Sequence, residues 1–199
     1  MESNQVKDMM CLMAERICTI ANKLSNSQTD CFIDEILRAK RIYVIGAGRS
    51  GLVAKGFAMR LMHLGLISYV AGETITPALK PGDLVVIFSG SGRTKTVADI
   101  AEMAKEIGAR LSLITSNADS RIGNMADCVV EIENQRDFIR EDNMEYEIRQ
   151  MMGKHHSFAP LGTLFETASM IFADACISRL MVVTKTDEVE LKKRHNVLE

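Results

Sequence analysis

Between Arg41 and Ile132 the chain alternates two hydrophobic rhythms. Short runs at Arg41 to Ile45, Ile67 to Ala71, Asp83 to Phe88, Arg110 to Thr115 and Cys128 to Ile132 are β-branched and too continuously apolar for strands with one wet face, so they read as buried parallel strands. Most are separated by stretches of helical period. Ser50 to Leu64 is a predicted helix closed by Gly65, and Thr94 to Ile107 another closed by Gly108, glycine serving where the chain must leave the helix. Repeated strand-helix-strand units predict an α/β fold: a doubly wound parallel sheet with helices on both faces.

Upstream, Met9, Met10, Met13, Ile17, Ile20 and Leu24 recur at mostly three- and four-residue steps, predicting an amphipathic helix over 5–25 that covers the sheet or a partner subunit. A second helix is predicted from Asp30 to Lys40. Thr76 to Gly82 is a turn-rich loop leading into the third strand. Glu133 to His156 is dense in charge and reads as a surface excursion. Pro160-Leu161-Gly162 then opens a long, nearly all-round apolar helix from Thr163 to about Met181, suited to a core or an oligomer interface. A charged segment, 187–199, ends the chain. The expectation is one domain over 1–199, with N-terminal helices at about 5–40.

Composition narrows the function classes. A chain of 199 residues buries a sizeable core. A formal net charge of −2 gives no general attraction to nucleic acid or anionic membrane, so local basic groups must bind any anion. The five cysteines are odd in number and include no CxxC pair, which argues against a disulfide framework or structural zinc and for a reducing cytoplasm. No signal pattern is found at Met1, and no apolar run is read as approaching the ~18 residues of a membrane helix. A soluble cytoplasmic protein with no nucleic-acid or membrane partner is expected.

The candidate chemistry lies after the first and third strands. The third runs into Ser89-Gly90-Ser91-Gly92-Arg93-Thr94 and then a helix. Glycines let backbone amides converge on an oxyanion, the helix adds its positive end, and three hydroxyls donate. No lysine stands where a P-loop needs one, which points to a sugar phosphate more than a nucleotide. The first strand runs into Gly46-Ala47-Gly48-Arg49-Ser50-Gly51, which fails the dinucleotide fingerprint; its glycines either serve tight packing or complete a ligand crevice. If strands one and three are neighbours, both turns face one crevice at the topological switch point.

Glu166, in the first turn of the long apolar helix, has two readings. On the solvent side with Thr167, Met170, Asp174 and Ser178, it would simply complement the helix dipole. Partly desolvated, it would be a general base able to take a proton from carbon. His195 is either a solvated tail residue or a proton shuttle folded over a site. His63 reads as structural, and the adjacent His155 and His156 diverge, which argues against a metal site.

With these motifs in hand, the chain resembles the sugar-isomerase (SIS) domain family, and within it the 6-phospho-3-hexuloisomerase branch. The matching residues are the two turns, Gly72-Glu73-Thr74-Ile75-Thr76-Pro77-Ala78, Pro160-Leu161-Gly162-Thr163-Leu164-Phe165-Glu166 and Arg194-His195-Asn196-Val197-Leu198-Glu199. The resemblance covers nearly the whole chain. It implies a three-layer αβα sandwich with a five-stranded, flavodoxin-like parallel sheet, and interconversion of D-arabino-3-hexulose 6-phosphate and fructose 6-phosphate through an enediol. Dimers or tetramers, no cofactor or metal, and functional pairing with hexulose phosphate synthase in formaldehyde metabolism are also implied. So are roles for residues: Glu166 as base, His195 as helper from its own or a neighbouring subunit, and Gly48, Arg49, Ser50, Ser89, Gly90, Ser91, Gly92, Arg93 and Thr94 as substrate-binding residues. The family usually has glutamate at Arg93 and glutamine at Ala159 and Thr167, and a shorter excursion than 133–156. Another phosphosugar isomerase, such as one for arabinose 5-phosphate, and a non-catalytic sugar-phosphate sensor are the alternatives.

Overall fold

The computed structural model describes residues 5–132 and 163–195. The expectations for the charged excursion, for Ala159 to Gly162 and for 196–199 lie outside the described residues. Helices α1 (Gln5–Lys23) and α2 (Asn26–Arg38) precede the alternating region. There follow β1 (Ile42–Gly46), α3 (Arg49–His63), β2 (Ser68–Val70), β3 (Leu84–Phe88), α4 (Lys95–Ile107), β4 (Arg110–Thr115) and β5 (Cys128–Glu131), with one 3₁₀ turn at Gly123–Met125. The long helix α5 (Thr163–Thr184) and the short α6 (Glu188–Lys193) close the chain.

All strand pairs are parallel, and the order is β2-β1-β3-β4-β5. The predicted doubly wound five-stranded sheet is therefore present, and winding reverses between β1 and β3. β1 and β3 are almost wholly apolar, and β4 is buried from Leu111 to Thr115, because both faces are covered. β2 is shorter than the predicted strand and only half-buried, as befits an edge.

Side chains alternate faces along each strand and so divide the core in two. Ile42, Val44, Leu84, Val86 and Phe88 pack with Phe32 of α2, Phe57 of α3 and Phe172 of α5. Tyr43, Ile45, Val85, Ile87, Leu111 and Leu113 pack beneath Val97, Ala98, Ala101 and Ala104 of α4. Phe57 meets Phe88 edge-on at 5.9 Å between centroids and stacks on Phe32 at 6.0 Å, which fixes the layer that carries α3.

One expectation is narrowed and one needs correction. Helix α1, read as covering the sheet or a partner subunit, packs within the chain chiefly on α5, buries only Ile20 among its described side chains, and leaves Val6, Met9 and Met10 exposed. Helix α5 is long and apolar enough to span a bilayer, contrary to the reading that no such run exists. It carries Leu164, Phe165, Ala168, Phe172, Ala173, Cys176, Ile177 and Leu180 into the core, which accounts for its apolarity.

Ion pairs staple the amino ends of the strands. Arg41 Nε donates to Asp83 Oδ1 at 3.0 Å, and the Lys80 amide donates to Asp83 Oδ2 at 2.7 Å. Buried Glu35 accepts from Arg110, with Nη2 to Oε1 at 2.7 Å. The opposite rim, at the carboxyl ends, holds the two glycine-rich turns.

Candidate active site

The register of β1 and β3 pairs Gly46 with Phe88, so the two turns leave the sheet side by side at the switch point. In the first turn, a side chain on Gly46 would sit 2.7 Å from the Ser50 carbonyl atoms, and one on Gly51 2.8 Å from the Gly46 oxygen. Tight packing is thus a real duty of these two glycines. It delivers Gly48 and Arg49 to the exposed start of α3 and buries Ser50 behind them.

The second turn is held from the β4 side. The Ser89 amide donates to the Ile114 carbonyl at 3.0 Å, the Gly92 amide to Ser89 at 3.1 Å, and the Ile122 amide to Gly92 at 3.1 Å. Ser89 Oγ, in a residue only 4% exposed, has no hydrogen-bond partner among the described residues. Thr94 is the N-cap of α4, yet its side chain makes no capping bond, which leaves its hydroxyl available. Ser91 Oγ accepts from the Arg93 amide at 3.3 Å. Arg93 itself is exposed, with Nη2 donating to the Asp119 carbonyl at 3.4 Å.

Helix α5 brings the carboxylate. Phe165 lies against Gly90, its ring atoms 3.1–3.4 Å from where a Cβ would stand. The neighbouring Glu166 is 9% exposed, which overturns its placement on a solvent face. Arg49 Nε stands 3.6 Å from Glu166 Oε2, and the Arg49 side chain is 55% exposed. A buried carboxylate, an exposed guanidinium and a hydroxyl-rich turn between two helix N-termini therefore share one crevice. Such a set can hold a monoester dianion and move a proton next to it.

His195 is not brought to this cluster within one chain. Its ring stacks on buried His63 at 5.1 Å, and Arg194 Nη1 donates to the His63 carbonyl at 3.2 Å. That is the far end of α3, roughly 21 Å from Arg49 at 1.5 Å per residue. Among the described residues no group of His, Cys, Asp and Glu could hold a metal ion. The sequence reading missed Thr115, Ser116 and Ser120, whose hydroxyls buttress the second turn, and Phe165 as its packing partner. Hydroxyls at the carboxyl end of the strand beside β3 were the available signal.

A protein-family model described as the SIS domain matches residues 35–140. An uncharacterized protein of Aeropyrum pernix is 44% identical over 197 residues, covering 97% of this chain and 92% of its own. A Bacillus subtilis protein named 3-hexulose-6-phosphate isomerase is 39% identical over 176 residues, covering 88% and 89%. Among solved structures, a hypothetical protein from Methanococcus jannaschii, with an inferred molecular function of 3-hexulose-6-phosphate isomerase, aligns with a TM-score of 0.80 at 33% identity over 96% of this chain and 99% of its own.

Proposed function

The chain belongs to the SIS domain family, and from that premise we propose that it is a phosphosugar isomerase interconverting D-arabino-3-hexulose 6-phosphate and fructose 6-phosphate. The observation that carries the reading is Glu166: a buried carboxylate 3.6 Å from Arg49, on the helix whose Phe165 abuts the second turn. The relatives' names supply the substrate.

In this reading Ser89, Gly90, Ser91, Gly92 and Thr94 receive the terminal phosphate, with Arg93 at its rim and the start of α4 behind it. Anchoring that remote group positions the reacting carbons by binding energy alone. Glu166 takes the proton from carbon 2 of the 3-ketose, the electron pair of that C–H bond forms the C2=C3 double bond, and the carbonyl oxygen on carbon 3 gains a proton. Loss of the proton from the oxygen on carbon 2 then regenerates a carbonyl there, and Glu166 returns its proton to carbon 3. The exchange is internal and needs no oxidant. Gly48, Arg49 and Ser50 line the sugar side, where Arg49 offsets enediolate charge.

His195 relays the proton between the two oxygens when supplied by a neighbouring subunit of a homo-oligomer, because its own chain holds it at the far end of α3. The domain extends over the N-terminal helices and the C-terminal segment. Its pairing with hexulose phosphate synthase follows from the substrate.

Fructose 6-phosphate incubated with the protein in heavy water should acquire deuterium at carbon 3 and equilibrate with the 3-hexulose phosphate. Glu166→Gln should lower turnover by about 10²- to 10⁴-fold with the fold retained. Turnover within about threefold of the parent would remove Glu166 from the role of base.

A further inference from the structure

The second turn contains a peptide unit whose orientation is set from outside the turn. The Gly90 carbonyl accepts from the Ser116 amide at 3.1 Å and from Ser116 Oγ at 2.7 Å, and Thr115 Oγ1 lies 3.3 Å away with its one hydrogen shared between this carbonyl and that of Asn117, also at 3.3 Å. Two donors from Ser116 with the shared Thr115 hydroxyl beside them exceed the one donor that satisfies a carbonyl. Phe165 closes over the Cα of the same residue from α5. Gly90 is thereby clamped on two sides.

A trans peptide is planar, with its C=O and N–H antiparallel, and the described chain has no cis bonds. Pinning the Gly90 oxygen toward β4 therefore turns the Ser91 N–H the opposite way. In the order β2-β1-β3-β4-β5, the side of β3 away from β4 is the side of β1. The Ser91 amide thus faces the crevice that Arg49 and Glu166 share, and it donates to no acceptor among the described residues.

We propose that Ser116, with Thr115 behind it, is a positioning residue for the ligand's phosphate: it holds the Gly90 carbonyl so that the Ser91 amide is aimed into the crevice before ligand arrives. Ser116 does not touch the ligand. This deepens the proposed function and rests on it for the identity of the sugar, though not for the anion. A freely rotating peptide would have to be ordered by the ligand; a clamped one contributes its dipole without that cost.

The test uses the full chain and three variants: Ser116→Ala, Ser116→Thr and Thr115→Val/Ser116→Ala. Two readouts are taken, inorganic phosphate binding by calorimetry and KM with kcat for fructose 6-phosphate. Ser116→Ala should weaken phosphate and raise KM by about 3- to 10-fold, from the loss of one hydrogen bond to the Gly90 carbonyl, and the double variant by about 10- to 50-fold, since Thr115→Val removes the shared bond to Gly90 and also the acceptor of the Asn117 amide. kcat at saturation should stay within about twofold. Ser116→Thr keeps the hydroxyl and should restore phosphate affinity to within about twofold of the parent, which separates aiming from packing. Unchanged phosphate affinity in the double variant, or a Ser116→Thr protein no better than Ser116→Ala, overturns the proposal. If the variants weaken phosphate as expected while the parent fails to turn over the sugar, the clamp stands and the substrate assignment falls.

Discussion

Gly92 is the position at which the shape of the second turn can be tested most directly. Its φ is +61°, and a Cβ built on it would lie 2.0 Å from Ser120 Oγ and 2.7 Å from Ser120 Cβ, with the Asn117 oxygen at 3.3 Å. Rotating the Ser120 hydroxyl relieves the first contact but not the second, because Cβ moves only with the backbone. In Gly92→Ala the left-handed backbone costs roughly 1–2 kcal/mol and the overpacking roughly 1–3 kcal/mol, for a loss of about 2–5 kcal/mol. Ser120→Gly alone removes the acceptor of the Gly123 amide, a 3.2 Å bond worth about 1 kcal/mol. Combined with Gly92→Ala, it also removes both clashing atoms. The double variant should therefore be about 1–3 kcal/mol more stable than the sum of the two single changes predicts. Urea titrations of all four proteins, read at constant m, measure this coupling. Additivity within about 0.5 kcal/mol would refute the steric account, and a Gly92→Ala protein as stable as the parent would refute the geometry of the turn.

Two further outcomes concern ionisable groups away from the crevice. Burial tends to raise the Asp83 carboxyl, but hydrogen bonds from Arg41 and the Lys80 amide outweigh it and hold the group below the usual carboxylate range. Its stabilising contribution is present above about pH 4 and lost as pH falls through the lowered value, so the parent should lose stability more steeply than Asp83→Asn between pH 5 and 2, in urea midpoints measured across that range. Parallel curves for the two proteins would count against the Arg41 pairing. Burial pushes the Cys176 thiol up to about 12, and burial with the neighbouring Cys31 also pushes Cys128 up. Both should resist an aromatic disulfide reagent at pH 8 in the folded protein and react once it is unfolded, as followed by mass mapping.

Much of the frame was legible because parallel strands buried on both faces leave only one composition available to them. β1 and β3 announce themselves in this way, β4 does so through Leu111, Leu113 and Ile114, and glycines 65 and 108 mark where helices end. The adjacency of β1 and β3, stated as a condition, is met and places both turns at one crevice. The orientation of Glu166 was not legible, since a helix apolar nearly all round has no wet face to show which way a single carboxylate turns. Tertiary packing by Phe165 and Arg49 decides it. The stripe of α1 indicated amphipathicity correctly but not its neighbour, because a methionine stripe fits a sheet, another helix or a second subunit equally well. The hydroxyls of Thr115 and Ser116 look like ordinary strand-end residues until the adjoining turn is seen against them.

The two turns differ in what surrounds their glycines, and that difference bears on how each could change over generations. The space beside Gly46 is filled by main-chain atoms of Ser50 and Gly51, which no substitution elsewhere can remove. The space beside Gly92 is filled chiefly by one serine side chain, which a single codon change can shrink. A randomised library selected for activity should therefore return glycine alone at the first site, and should accept alanine at the second in company with glycine at 120.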